Sequence, residues 1–342
     1  MTERLDRRRL LARAGVAAVG AAGFTGTAGA ATAPGFLRDH PQWRFAFINH
    51  AVTNPFFVPA RYGSADACSL FGVSADWTGS RRSDVGEMVA AMRRAIKNKV
   101  DGIAVSIIDP LAFNAPTALA LERGIPVISY NADGGRGNHR LAYVGQDLYQ
   151  AGLKFGSRIV ELVRAGDVFL FIATPDQLNI QPRVDGARDA IRDSGKAINL
   201  HVVATGADVA AERQKVEATY LANKHLRGMF AVDGGSTQAV AAVMRRHALH
   251  RKGVRAGGYD LLPGTLGSIA AGSLDFTIDQ QPYLQGFLPV QQLFFYRYSG
   301  GLVSPAETNT GLTFVTRHNV GRYLTTQTRY EGSSGEQKYP VS

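Results

Sequence analysis

The run Phe45-Ala46-Phe47-Ile48 is short, apolar and unbroken, and runs of the same kind return at Gly102-Ile103-Ala104-Val105-Ser106 and Ile125-Pro126-Val127-Ile128-Ser129-Tyr130. Such stretches are too short for buried helices and apolar on both faces, so they read as strands covered from both sides. Between them Val85, Met88, Val89, Met92 and Ile96 fall on one face of a helix, and residues 109–123 predict a second helix. Strands alternating with helices in this way imply a parallel sheet flanked by helices on both faces.

A second series begins after Gly145. Strands are predicted at 168–172, 200–203, 229–232, 254–259 and 274–278, separated by helical stretches at about 147–165, 182–194, 209–224, 236–250 and 263–272. Residues 282–299, with Leu284, Phe287, Leu288, Leu293, Phe294 and Phe295, predict a further helix. The chain thus reads as α/β, two Rossmann-like lobes with a cleft between them.

The amino end reads as an export signal. Asp6-Arg7-Arg8-Arg9-Leu10-Leu11 supplies a charged front of the twin-arginine type, residues 12–27 an apolar centre of small residues, and Ala28-Gly29-Ala30 a cleavage site. The stretch is too short, too rich in Gly and Ala, and too interrupted by Arg13 for a membrane span. Residues 1–30 are therefore expected to be removed, leaving a chain that works in the periplasm or cell envelope without membrane insertion. Residues 326–342 read as a polar, loosely held tail.

The 342 residues carry a formal charge of +10, but the first 30 hold five Arg against Glu3 and Asp6, so their removal leaves +7. The remaining Lys and Arg are scattered, the densest group being Arg245-Arg246-His247 and Arg251-Lys252 at a predicted helix end. That pattern is a solvated face, and no nucleic-acid partner is expected. Cys68 is the only cysteine, so no internal disulfide can form, and its place beside Ala67 in a helical pattern predicts a small buried side chain.

In open parallel sheets ligands sit beyond the carboxyl ends of the strands. In the first lobe those positions hold Asn54-Pro55-Phe56-Phe57 and Asn131-Ala132-Asp133; in the second they hold Asp233, Asp260 and Gln280. Amides and carboxylates exchange paired hydrogen bonds with adjacent hydroxyls, and aromatic faces pack on the C–H surface of a sugar ring. Arg183, opening a helix after Gln181-Pro182, could pair with Asp185 or Asp189 on the surface or face the same cleft.

The ordered series Asn54-Pro55-Phe56-Phe57, Arg183-Val184-Asp185-Gly186, Phe230-Ala231-Val232-Asp233, Gly258-Tyr259-Asp260 and Thr277-Ile278-Asp279-Gln280 resembles the periplasmic sugar-binding proteins of the ribose and galactose type over residues 44–318. The resemblance implies the type I periplasmic binding protein fold: a first lobe of residues 42–145 plus 281–309, a second of 146–280 plus 310–325, and a hinge of three crossings. It also implies a monomer that captures a neutral sugar or polyol and delivers it to the permease of an ABC transporter. Carried over residue by residue, Asn54, Phe56, Phe57, Arg183, Asp260 and Gln280 match ligand contacts of the ribose branch, while Asn131-Ala132 and Asp233 depart from it, as does Val209 where that branch has an aromatic. Asp76-Trp77-Thr78-Gly79 is closer to the rhamnose and autoinducer-2 receptors, which makes Trp77 a candidate pocket wall. A receptor handing such a ligand to a membrane sensor is the alternative.

No G-x-S-x-G or H-E-x-x-H stretch occurs, and Gly134-Gly135-Arg136-Gly137 lacks the strand-to-helix setting of a phosphate cradle. His247 and His250 lie among cations that repel a divalent ion. Neither cofactor nor metal nor catalytic residue is expected; an enzyme reading would rest on Asp133 and Asp233 as a glycoside-cleaving pair. A transcriptional repressor sharing the two-lobe core would need a helix-turn-helix within residues 1–40, where the export signal stands.

Overall fold

The computed structural model describes residues 39–325 apart from Arg136. The expected signal and polar tail lie outside those residues. In chain order the strands are β1 (Arg44–Asn49), β2 (Ser74–Gly79), β3 (Gly102–Val105), β4 (Val127–Tyr130), β5 (Ala142–Gly145), β6 (Gly166–Ile172), β7 (Ile198–Ala204), β8 (Gly228–Ala231), β9 (Arg255–Tyr259), β10 (Phe276–Asp279), β11 (Glu307–Asn309) and β12 (Thr313–Thr316). The helices are α1 (Val58–Phe71), α2 (Val85–Lys97), α3 (Asn114–Glu122), α4 (Leu148–Leu162), α5 (Gln181–Asp193), α6 (Val209–Ala222), α7 (Gly234–Arg246), α8 (Pro263–Ala270), α9 (Pro282–Ser299) and α10 (Gly321–Thr325).

Two six-stranded sheets result, ordered β11-β5-β4-β3-β1-β2 and β12-β10-β9-β8-β6-β7. Every pairing is parallel except β10 with β12. In each sheet the first strand of the series lies between the second and the third, so the chain reverses direction across the sheet beside β1 and again beside β6. Crevices for ligands open at such reversals, beyond the carboxyl ends of the strands. The chain passes from one sheet to the other three times: between β5 and β6, between β10 and β11, and between β11 and β12.

Each sheet is buried on both faces, which explains the unbroken apolar runs. In the first, Ala46, Ile48, Ile103 and Val105 pack beneath α2 and α3, while Phe45, Phe47, Ala104 and Ile128 face α1 and α9. In the second, Phe171, Met229 and Ala231 join the α7 side, and Val168, Leu170, Phe230 and Ile278 join the α4 and α5 side.

The structure departs from the expected elements in a few places. The helix expected over 109–123 begins at Asn114, because Asp109 Oδ1 accepts from the amides of Leu111 and Ala112 and holds a turn there. β2 is an edge strand whose half-exposed residues lack an apolar run, and β5 has four residues; neither stood out in the sequence. Cys68 is half-buried, and burial pushes its thiol up to about 12.

Candidate functional site

A cavity of about 310 Å³ lies where the carboxyl ends of the two sheets face each other, lined by Asn54, Phe56, Phe57 and Asn131 from the first lobe and by Arg183, Asp233, Asp260 and Gln280 from the second. Eight of the ten sequence candidates therefore line one cavity.

The centre of the second-lobe side is a buried chain of polar groups. Arg183, only 2% exposed, opens α5 and reaches back across the sheet. One of its terminal nitrogens donates to the Val232 carbonyl at 2.8 Å and the other to Gln280 Oε1 at 2.9 Å, with the guanidinium stacked over the Tyr259 ring at 4.1 Å. Gln280 Nε2 in turn donates to Asp260 Oδ1 at 2.7 Å. The surface pairing of Arg183 with Asp185 or Asp189 does not form: Asp185 bonds Gln181 and Arg188, and Asp189 bonds Tyr149 and Arg192. Burial pushes the Asp260 carboxyl up to about 6, a rise that the Arg183 charge and the Gln280 amide oppose. Asp260 also adopts a φ of 73°, the left-handed region that costs a non-glycine residue strain.

Asp233 is the N-cap of α7. Its Oδ1 accepts from the Ser236 amide at 2.8 Å and its Oδ2 from the Ala173 amide at 2.9 Å, which fixes both oxygens and leaves further lone pairs toward the cavity. Burial raises its pKa, against those amide bonds and the Arg183 charge.

On the first-lobe side Asn54 Oδ1 caps the turn at Pro55–Phe57 by accepting from the Phe56 amide at 2.9 Å. The rings of Phe56 and Phe57 meet edge-to-face at 4.7 Å. Asn131, at a φ of 64°, donates from Nδ2 to Gln285 Oε1 at 3.0 Å. The second lobe reaches the first through the segment after β6: Leu178 donates its amide to the Ile108 carbonyl, Gln177 Nε2 donates to the Ser83 carbonyl at 3.1 Å, and Asn179 Nδ2 lies 3.3 Å from His50 Nε2. Burial lowers the His50 pKa to about 4. A neutral imidazole accepting at Nε2 from Asn179 then donates from Nδ1 to Ser106 Oγ, 2.9 Å away.

Trp77 and Asp133 stand outside this lining. The Trp77 ring stacks on Phe47 at 4.8 Å and donates from Nε1 to Ser64 Oγ at 2.9 Å, because β2 points it at the helix layer of α1. Asp133 is held by both Nε and a terminal nitrogen of Arg140 and by the Ser129 hydroxyl, and faces a different hollow beside Tyr143 and Gln146. Asp133 and Asp233 therefore do not form the acid/base pair weighed above.

Residues not anticipated also line the cleft: His50, Arg81, Arg82, Gln177, Asn179 and Glu212 among them. His50 alone carried a usable signal, standing directly after β1 at the carboxyl end of a predicted strand. Among the described residues no group of three or more His, Cys, Asp or Glu side chains is placed to hold a metal ion, and no helix is long and apolar enough to cross a membrane.

A family model described as periplasmic binding protein domain matches residues 45–296. The chain is 48% identical over 319 residues to the xylose/arabinose-binding protein XylF of Sulfolobus acidocaldarius, covering 88% of this chain and 78% of that protein. Among solved structures it resembles an ABC transporter solute-binding protein of Burkholderia graminis in complex with D-arabinose, at a TM-score of 0.77 and 26% identity over 85% of this chain and all of that one. It also resembles a carbohydrate transporter of Acidothermus cellulolyticus in complex with myo-inositol, at a TM-score of 0.73 and 25% identity over 82% of this chain and 96% of that one. The chain belongs to the periplasmic binding protein domain family.

Proposed function

From that membership we propose that this chain is an exported, non-catalytic receptor that captures a neutral pentose, hexose or short polyol in the cleft and passes it to an ABC importer. The observation that carries the reading is the buried Arg183–Gln280–Asp260 chain ending at the cavity, with Asp233 beside it. It presents alternating donors and acceptors of fixed direction, the pattern adjacent hydroxyls require. The relatives named for xylose and arabinose, or held with D-arabinose or myo-inositol, support the same class of ligand. The moving bodies in this reading are residues 42–145 with 281–309 and residues 146–280 with 310–325. Ligand favours closure because contacts from both sides are completed only when the cleft is shut.

Neutrality follows from the floor of the cleft. Asp233 and Asp260 oppose the single charge of Arg183 there, whereas Arg81 and Arg82 line the cavity as exposed side chains screened by water. A carboxylate or phosphate carried to that floor meets repulsion in a poorly solvated place, which costs several kcal/mol. A thermal-shift panel of D-xylose, D-arabinose, ribose, galactose, glucose and myo-inositol, beside glucuronate and ribose 5-phosphate, tests this. At 100 times its dissociation constant a ligand stabilises by about 2.7 kcal/mol, an upward shift of about 5 °C in a protein of this size. At least one neutral member should produce it. A larger shift with either charged sugar than with every neutral one would overturn the assignment.

Export rests on Arg7-Arg8-Arg9-Leu10-Leu11. Replacing the three arginines with lysine keeps the charge but removes the guanidinium pair, so the precursor should accumulate in the cytoplasm. Cell fractionation showing undiminished secretion would remove the twin-arginine reading.

A further inference from the structure

We propose that the carboxyl of Glu212 is a further ligand contact in the second lobe, giving a hydrogen bond to a ligand oxygen beside Asp233 and thereby selecting for a hydroxyl at that position. The inference rests on the reading that the cleft takes a neutral polyhydroxylated ligand. Nothing in the resemblance to the ribose branch assigned this residue.

Local structure explains how the side chain comes to be there. Asp208 caps α6 by accepting from the Ala211 amide at 2.9 Å, and Glu212 follows in the first turn. Its carboxyl lies against the start of α7, in space that opens only because residue 235 is glycine: a Cβ there would stand 2.1 Å from Glu212 Oε2. Glu212 is 3% exposed and lines the cavity, yet its buried Oε2 has no hydrogen-bond partner within the chain. An acid oxygen buried beside a ligand cavity without a partner is in an arrangement that a ligand can complete.

The charges around it decide which proton state serves. Asp208 stands on its own helix and Asp233 at the start of α7, both negative. The cations are committed elsewhere: Arg183 to the Val232 carbonyl, Gln280 and Tyr259, and Arg82 to Glu87 on the other lobe. Arg81 lines the mouth as an exposed side chain, Asp260 adds negative charge, and His50 is neutral across from them. Burial first, then Asp233 and Asp208, push the Glu212 carboxyl up to about 9. At neutral pH it is thus an acid with one O–H to give. Asp233 beside it can only accept, its oxygens being fixed by the Ser236 and Ala173 amides. A hydroxyl accepts from one and donates to the other, whereas a deoxy ligand leaves both unmatched.

The test uses the mature protein, Glu212→Ala and Glu212→Gln, titrated calorimetrically with D-xylose, D-arabinose and myo-inositol from pH 6 to 9.5. Ligands that bind the wild type should bind Glu212→Ala at least about tenfold more weakly at pH 6, as expected for one lost buried hydrogen bond. Glu212→Gln, which keeps a donor, should lose less. Because the protonated form binds, wild-type affinity should fall between pH 7.5 and 9.5 toward the raised pKa, above the range near 6 in which Asp260 titrates in both proteins, and the Glu212→Gln profile should be flatter there. An alanine variant within twofold of wild type, or superimposable profiles, would overturn the proposal. Melting curves without sugar supply a second readout. A carboxyl whose folded pKa is raised contributes its stability below the ordinary value near 4.5 and loses it as pH rises, so the wild type should weaken relative to Glu212→Gln between pH 5 and 9. If none of the three sugars binds the wild type, the titration is repeated with the panel member that does bind, and failure of every neutral member sinks the sugar reading. The sugar-free curves separately test the proton on Glu212, parallel curves overturning its role as donor.

Discussion

Replacing Arg183 with alanine should weaken sugar binding by about a hundredfold or more, since at least two charge-assisted hydrogen bonds worth about 1.5–3 kcal/mol each, or the geometry they impose, are lost together. Three links make the loss large. The guanidinium holds Gln280 Oε1, and Gln280 holds Asp260, so the removal releases the whole donor–acceptor chain as well as one contact. It also deletes the charge that opposes the rise of the Asp260 pKa, already at about 6 from burial. Without it Asp260 takes up a proton more readily near neutral pH and is a poorer acceptor for ligand hydroxyls. Finally, Arg183 Nε is buried with no partner in the chain, a donor that a ligand oxygen can satisfy. Arg183→Lys should fall between wild type and alanine, because it restores a charge without the planar fork that bridges Val232 and Gln280. Calorimetric titration with whichever panel sugar binds, next to melting curves to show that both variants are folded, is the measurement. Arg183→Ala with an affinity within threefold of wild type would mean that this chain of polar groups serves the fold alone.

The split between what could and could not be read from the sequence has a physical pattern. Strands β1, β3, β4, β6 and β8 to β10 lie in sheet interiors, and their composition records burial on both faces, while β7 is an edge strand that is legible only through the apolar residues Leu200, Val202 and Val203. β2, β11 and β12 sit at edges and carry polar or short stretches such as Glu307-Thr308-Asn309, so nothing in their composition marks them. The same distinction governs the cleft. Asp233, Asp260 and Gln280 follow interior strands, and the parallel topology carries whatever follows such strands to one place. Asp133 also follows an interior strand, but Arg140 seven residues on captures it, a loop contact that no strand pattern announces. Glu212 and Asn179 reach the cleft from a helix and a loop of their own, and only the packing of α6 on α7 and of the 174–180 segment on the first lobe brings them in.

Gly152→Val should lower the melting temperature by about 10 °C, near the upper end of the roughly 1–3 kcal/mol that overpacking costs at about 2–4 °C per kcal/mol. The reason is a backbone-to-backbone contact between α4 and α5. A Cβ at Gly152 would sit 2.5 Å from the Arg183 carbonyl oxygen and 2.8 Å from its Cα; one at Gly186 would sit 2.3 Å from the Tyr149 carbonyl oxygen. Neither neighbour is the end of a flexible side chain, so relief requires the two helices to separate. α5 is also the helix that carries Arg183, whose backbone is the very group a residue 152 side chain would strike. The cost therefore passes from packing to binding: a shift of α5 draws the guanidinium away from Val232, Gln280 and the Tyr259 ring. Sugar affinity should drop at least about tenfold along with stability, as displacement of a positioned group by an ångström typically does. Gly267, in α8, is the internal comparison, since a Cβ there meets nothing within 4 Å. Gly267→Ala should melt at or slightly above the wild type, because alanine favours the helix by about 1 kcal/mol over glycine. Calorimetric melting and titration of both variants read the two effects together. A Gly152→Val protein that melts with the wild type and binds as tightly would show that α4 and α5 tolerate separation and that the position of Arg183 does not depend on their contact.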